Sequence, residues 1–311
     1  MRNGYFGILR SIAIVVMIVL VFNMLGGIIL VAFYGIDIKG AGAGMIVAIN
    51  ALAQLAVMFT VPILIVKNFG QDSQASFRLE GINETPLSAM LLGVPMVLAA
   101  QVVGGALDGL WISFLKLFPQ IYDPLLSLQK YLDDFMSSVT DAKSIGELIV
   151  LLIGISLIPA IAEETLFRGF IQTNIERSGK TKTRPYIAIV ITSILFAAVH
   201  ASPLNFPGLL SIGLVLGWLA YRTSDLRVSM LAHAINNGLI VLAVYFFSGS
   251  KSALDSITGT PEVSVNDSLI LLAISLPFVI GLFYLFQRIT EPLRARHNAE
   301  EELRLIQDFH H

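Results

Sequence analysis

The sequence predicts an all-α fold: a polytopic membrane bundle of about eight transmembrane helices with both termini cytoplasmic. Three observations predict it. Hydrophobic residues make up 55% of the 311-residue chain and charged residues only 14%, whereas a soluble domain is about a quarter charged. Apolar runs of the length a helix needs to cross a bilayer, roughly 20 residues, recur from end to end. Lysines and arginines gather in alternate connections between those runs, as the positive-inside rule requires of a polytopic protein. The net charge of −2 points to no nucleic-acid partner, and the absence of cysteine excludes disulfides, thiol catalysis and cysteine metal sites.

In chain order, Arg2 and Arg10 precede the first apolar run, 11–34. It is too long for the apolar region of a signal peptide and no small-residue cleavage site follows, so it reads as a retained span. Further spans fall at 43–66, 87–115, 148–175, 186–201, 208–221, 228–248 and 267–287. The fifth and sixth are short, and Pro203 and Pro207 between them predict a tight or partly re-entrant connection. Gly213 and Gly217 would let the sixth span approach a neighbour closely, and Gly105 and Gly109 offer the same on the third. With the termini inside, the cytoplasmic segments hold Arg2, Arg10, Lys67, Arg78, Arg177, Lys180, Lys182, Arg184, Arg222, Arg227 and the arginines from Arg288 onward. The outer segments hold only Lys39, Lys116, Lys130, Lys143 and Lys251. The organisation is then one bundle over 1–289, set in the cell's inner (plasma) membrane, with a charged cytoplasmic tail over 290–311. Within 119–146, Leu125, Leu128, Leu132, Phe135 and Val139 share one helical face, which predicts an interfacial amphipathic segment on the outer side. His297, His310 and His311 sit in the tail, where the terminal pair is incidental rather than metal-binding.

Ionisable groups within a span cost a few kcal/mol each and mark function by default. The stretch "IPAIAEETLFRGFIQ", 158–172, carries Glu163, Glu164 and Arg168. Glu164 and Arg168 are four apart with the glutamate N-terminal, the favourable order for an intrahelical pair. Glu163 points about 100° away around the helix and is left without that partner. "ILFAAVHAS", 194–202, places Phe196 and His200 four apart on the fifth span, and "MLAHAINNGL", 230–239, places His233 and Asn237 four apart on the seventh. Asn236 points elsewhere. Measured from the basic ends along straight helices, Glu163 and His200 lie roughly 20 Å deep and His233 nearer 10 Å. Asp108, well inside the third span, has no role in this pattern.

These groups suffice for amide hydrolysis by an activated water. A glutamate in low dielectric is suited to general-base service near neutrality, and a nearby histidine can share the water or shuttle the proton. His233 and Asn237 can donate hydrogen bonds to a developing oxyanion. No covalent nucleophile is evident: there is no HExxH, no GxGD and no serine in a glycine-flanked elbow. Buried carboxylates and histidines would equally serve a proton-coupled transporter, against which stands the lack of an inverted repeat. A non-catalytic membrane binding or immunity protein is the other alternative.

Taken together, EExxxR (Glu163, Glu164, Arg168), FxxxH (Phe196, His200) and HxxxN (His233, Asn237) resemble the signature of the CAAX protease and bacteriocin-processing family, also called the Abi family, which includes the Ras-converting CAAX endopeptidases. The match covers about 147–248. The resemblance implies an intramembrane endopeptidase acting on a membrane-associated peptide or lipidated protein, a metalloprotease by family convention. It implies that Glu163 and His200 activate water, that His233 and Asn237 form the oxyanion site, and that Glu164 with Arg168 holds the geometry. Zn2+ is the possible cofactor: Glu163, His200 and His233 are the candidate ligands, with one position left for water. A metal-free glutamate mechanism fits the same residues.

Overall fold

The computed structural model describes residues 5–34, 42–140, 142–179, 181–247 and 264–309. Arg2, Lys39, Lys180, Lys251, His310 and His311 lie outside these. Nine principal helices are described: α1 (Ile8–Tyr34), α2 (Ala43–Asn68), α3 (Leu87–Leu115), α4 (Pro119–Thr140), α5 (Ile145–Arg177), α6 (Arg184–Val199), α7 (Phe206–Thr223), α8 (Leu226–Phe247) and α9 (Val265–Phe309). A single helical turn at Ser73–Ser76, capped by the Asp72 carboxylate, sits in the connector after α2. The described residues contain no strand, so the all-α expectation holds. Each of the eight predicted spans contains a helix. Six helices are long and apolar enough to cross a membrane: α1, α2, α3, α5, α8 and the first part of α9. The predicted fifth and sixth spans form α6 and α7, of only 16 and 18 residues.

α5 is the hub, packing against α1, α2, α6, α7 and α8. Its sequence explains its irregular course. Pro159 has no N–H to give the Ile155 carbonyl four residues back, and the turn just before it, Leu152–Leu157, widens to π-helical geometry. A second π-helical stretch, Thr165–Gln172, begins directly after Glu164. Such widened turns recur at functional positions. On one side α5 meets α1, α2 and α6 through Val15, Ile18, Val57, Met58, Ala162, Leu166, Phe167 and Phe196. α3, α7, α8 and α9 form a second core around Met96, Val97, Leu216, Leu219, Val228 and Phe286.

Close helix approaches occur where small residues permit them, though not always where the spacing predicted. Gly213 packs against Ser193 and Phe196, and Gly217 against Gln172 and Ile189. On α3 the contact is made by Gly104, whose missing side chain admits Gly208 of α7, while Gly105 meets nothing. The reason is Asp108, one turn beyond Gly104. It is buried and accepts the Gly208 backbone N–H at 2.7 Å, satisfying an orphan donor in the first turn of α7. Asp108 is thus a helix cap supplied from a neighbouring span.

α4 is amphipathic as predicted, but its inward face is rotated. Tyr122, Leu125 and Leu126 pack toward Ile112, Leu115 and Leu204. Leu128 and Phe135 are exposed, at 43% and 37%. Gln129 takes an inner position instead, accepting the Ser202 hydroxyl at 2.8 Å. α9 runs on through position 290 to Phe309, so the predicted tail is helical over its described part. Its continuation stays docked on the bundle: Arg222 bonds Thr290 and Glu291, and Arg294 reaches the Tyr221 hydroxyl.

At that same end, ion pairs tie the predicted cytoplasmic segments together. Arg78 pairs with Glu176 at 2.8 Å, Arg177 with Glu80 at 3.1 Å and Arg296 with Glu84 at 2.9 Å. The basic connections therefore share one face of the bundle, which is what their alternation in sequence requires.

Candidate active site

The three polar motifs meet on α5, α6 and α8. Arg168 Nη1 donates to Glu164 Oε1 at 2.8 Å with both side chains wholly buried, as the four-residue spacing predicts. Glu164 Oε1 is also contacted by His233 Nδ1 at 3.0 Å, a partnership the sequence did not show. The difference in depth calculated for His233 and the glutamates is absorbed by helix geometry. α5 and α8 run in opposite directions, and the 3.0 Å contact shows that the two helices are offset and tilted enough to bring Glu164 and His233 to one level. Ser229, one turn before His233, lies beside the same carboxylate.

Phe196 explains the aromatic position of the second motif. Its ring centroid is 4.6 Å from that of His200 and 5.8 Å from that of His233, and the Arg168 guanidinium carbon lies 4.3 Å from it. One ring thereby spaces both histidines and covers the arginine with its π face. Arg168 Nη2 donates further to the Gly213 carbonyl at 3.2 Å. His200, at the end of α6 and more exposed, has Nδ1 2.6 Å from the Phe196 carbonyl. A carbonyl only accepts, so Nδ1 carries the hydrogen and Nε2 presents its lone pair.

Asn237 Nδ2 donates to the Ile155 carbonyl at 3.4 Å, the acceptor that Pro159 deprives of a partner. Its neighbour Asn236, set aside on sequence grounds, is the more buried of the two, and its Oδ1 has no hydrogen-bond partner. Glu163 and Glu164 each keep a buried Oε2 without a partner; they differ in that Arg168 and His233 bond Glu164, while the Arg168 charge acts on Glu163 without a direct bond.

Two residues outside the motifs support the site, and neither carried a sequence signal beyond its charge or polarity. Arg78, in left-handed backbone at φ 49°, donates to the Arg168 carbonyl at 2.9 Å and to Glu176 at 2.8 Å. Gln172, one turn beyond Arg168, bridges Glu176 and the Gly217 carbonyl.

The zinc expectation finds no preformed ligand group among the described residues. His233 Nδ1 goes to Glu164, His200 Nδ1 to the Phe196 carbonyl, and among the described residues no three His, Asp or Glu side chains form a group able to hold a metal ion. These Nδ1 bonds leave Nε2 of both histidines open, as in ligating histidines, but Glu163, His200 and His233 as placed form no ligand group, and no step below is routed through a metal.

Residues 145–239 match the model of the family described as type II CAAX prenyl endopeptidase Rce1-like. Under a third of the chain is therefore similar to that family. All three motifs lie within the matched segment. An uncharacterized 24.3 kDa protein of Escherichia coli is 34% identical over 104 residues, which cover 32% of this chain and 47% of that protein. The match thus spans about half the length of that relative. No solved structure matches the chain.

Proposed function

We propose that this protein is an intramembrane endopeptidase that hydrolyses a peptide bond in a prenylated or otherwise membrane-associated substrate. One observation carries the reading. Of two adjacent glutamates, Glu164 is bonded through Oε1 to a cation and a histidine, while Glu163 shares neither partner and keeps its buried Oε2 open. A buried acceptor left open calls for an explanation, and water is the donor that hydrolysis would bring to it.

Glu163 takes one proton from that water, with His200 Nε2 as a second acceptor at the site. The resulting hydroxide attacks the scissile carbonyl carbon. Negative charge then develops on the carbonyl oxygen, where Asn237 Nδ2 and His233 serve as donors. Because the Nδ1 hydrogen of His233 goes to Glu164, Nε2 donates in the imidazolium form, with Glu164 as counterion. Glu163 finally passes its proton to the departing amine, so the step balances with no covalent intermediate. Arg168 keeps Glu164 ionised and in register.

The test uses quenched fluorescent peptides, farnesylated CAAX sequences beside unlipidated ones, with protein in liposomes. Glu163→Gln is expected to reduce cleavage by at least about 100-fold, within the usual range for removing a general base. Cleavage undiminished by Glu163→Gln overturns the assignment.

A further inference from the structure

We infer that Gln54, on α2 and outside the family-matched segment, is a further catalytic residue that holds the attacking water jointly with Glu163. The inference rests on the hydrolytic reading above. Gln54 is an amide in an otherwise apolar stretch, only 6% exposed, and its Oε1 has no hydrogen-bond partner. Burying such a group unpaired costs about 1–3 kcal/mol, so a packing role alone accounts for it poorly, since leucine would fill the same space without the penalty.

Its position follows from the register of two parallel helices. Near their N-terminal ends, Gly44 of α2 lies against Val150 of α5, and Val47 fills the space left by Gly154. Farther along, Val57 and Met58 pack in the same cluster as Ala162 and Leu166. Gln54 falls between these two levels and shares the α2 face of Val47, since seven residues make two turns. It is about 10 Å beyond Val47 along α2, while Glu163 is about 13 Å beyond Gly154 along α5. The π-helical turn at Leu152–Leu157 shortens the second figure further. The two open oxygens therefore stand within about one turn of each other along adjacent helices.

Both are acceptors, and a single water has two hydrogens. A water donating one hydrogen to Glu163 Oε2 and the other to Gln54 Oε1 keeps its lone pairs directed away from both, toward the scissile carbonyl. Glu163 removes the hydrogen it already holds, and the one held by Gln54 stays on the hydroxide that attacks. In this arrangement His200 Nε2 receives a hydrogen from the water only after it turns, so Gln54 fixes the orientation from which attack begins.

Gln54→Met keeps the length of the side chain and removes the amide. With a farnesylated fluorogenic CAAX peptide in liposomes, the expected result is a kcat about 100-fold lower, the scale on which a misplaced reacting group costs rate, with KM and the unfolding temperature unchanged. A kcat within twofold of wild type overturns the inference. Glu163→Gln measured in parallel separates the two readings: lost cleavage there beside normal cleavage in Gln54→Met sinks only the role of Gln54. Should the variant fail to fold, a crystal structure of the wild type that resolves ordered water decides the matter. Density within hydrogen-bond distance of both Gln54 Oε1 and Glu163 Oε2 is expected, and a protein donor occupying Gln54 Oε1 overturns it.

Discussion

Replacing Arg168 by methionine separates what the buried ion pair does for stability from what it does for the site. Arg168 is wholly buried, bonded to Glu164 at 2.8 Å and to the Gly213 carbonyl at 3.2 Å, and covered by the Phe196 ring. Arg168→Met leaves the Glu164 carboxylate buried without its cation, a loss of about 3–5 kcal/mol. For a chain of this size that lowers the unfolding temperature by on the order of 10 °C. Replacing Glu164 by leucine as well removes the uncompensated charge. The remaining penalty is the stranded Nδ1 hydrogen of His233, about 1–3 kcal/mol, so the double variant should regain roughly 2 kcal/mol over Arg168→Met. Cleavage should not return with it, because His233 has lost the carboxylate that sets its hydrogen and supports its charge. Unfolding followed in detergent by intrinsic fluorescence, together with peptide cleavage, reads both quantities. A double variant no more stable than Arg168→Met, or one that cleaves normally, would refute the reasoning.

Gly208→Ala places a methyl group against the Asp108 carboxylate and Gly104, and overpacking of that kind should cost about 1–3 kcal/mol in unfolding measurements. Arg78→Leu removes the donor to the Arg168 carbonyl and leaves Glu176 with Gln172 but without its cation; lower unfolding temperature and slower cleavage are expected together, and normal cleavage would show that Arg168 keeps its place without Arg78. Incubation with a chelator should leave cleavage unchanged, since the histidines and carboxylates as placed form no metal-holding group; loss of activity restored by added zinc would reverse that conclusion.

The spans were legible because lipid enforces a coarse pattern, and each predicted run holds a helix. The Glu164–Arg168 pair was legible because its geometry is local, four residues along one helix. The partnership of His233 with Glu164 was not, since it joins residues 69 apart and depends on how two antiparallel helices slide past each other. Depth counted along straight helices misjudged it for the same reason. Gly104 was passed over in favour of Gly105 because spacing alone does not say which face of α3 meets α7. Arg78 read as one more cytoplasmic charge and Gln54 as a lone amide in an apolar run; only the packing of α2 and of the 69–86 connector against α5 gives either a place.

The polar groups of the core differ in how many of their hydrogen bonds the protein completes, and even Arg168 Nε, Gln172 Oε1 and Glu164 Oε2 are left open. Arg168, Gln172 and Arg78 are tied to backbone carbonyls and to glutamates, and such closure rigidifies a buried network. Gln54, Glu163 and Asn236 each keep a buried oxygen open. Each lies on a helix in contact with closed members of the network or with the helix that carries them. If the open oxygens were packing defects, filling them with apolar groups of the same shape would stabilise the protein and spare cleavage. If they are the site, the same substitutions at Gln54 and Glu163 lose cleavage while the fold is kept. Arg168, Gln172 and Arg78 should show the opposite balance, losing stability first, because their substitution breaks several bonds already made within the protein.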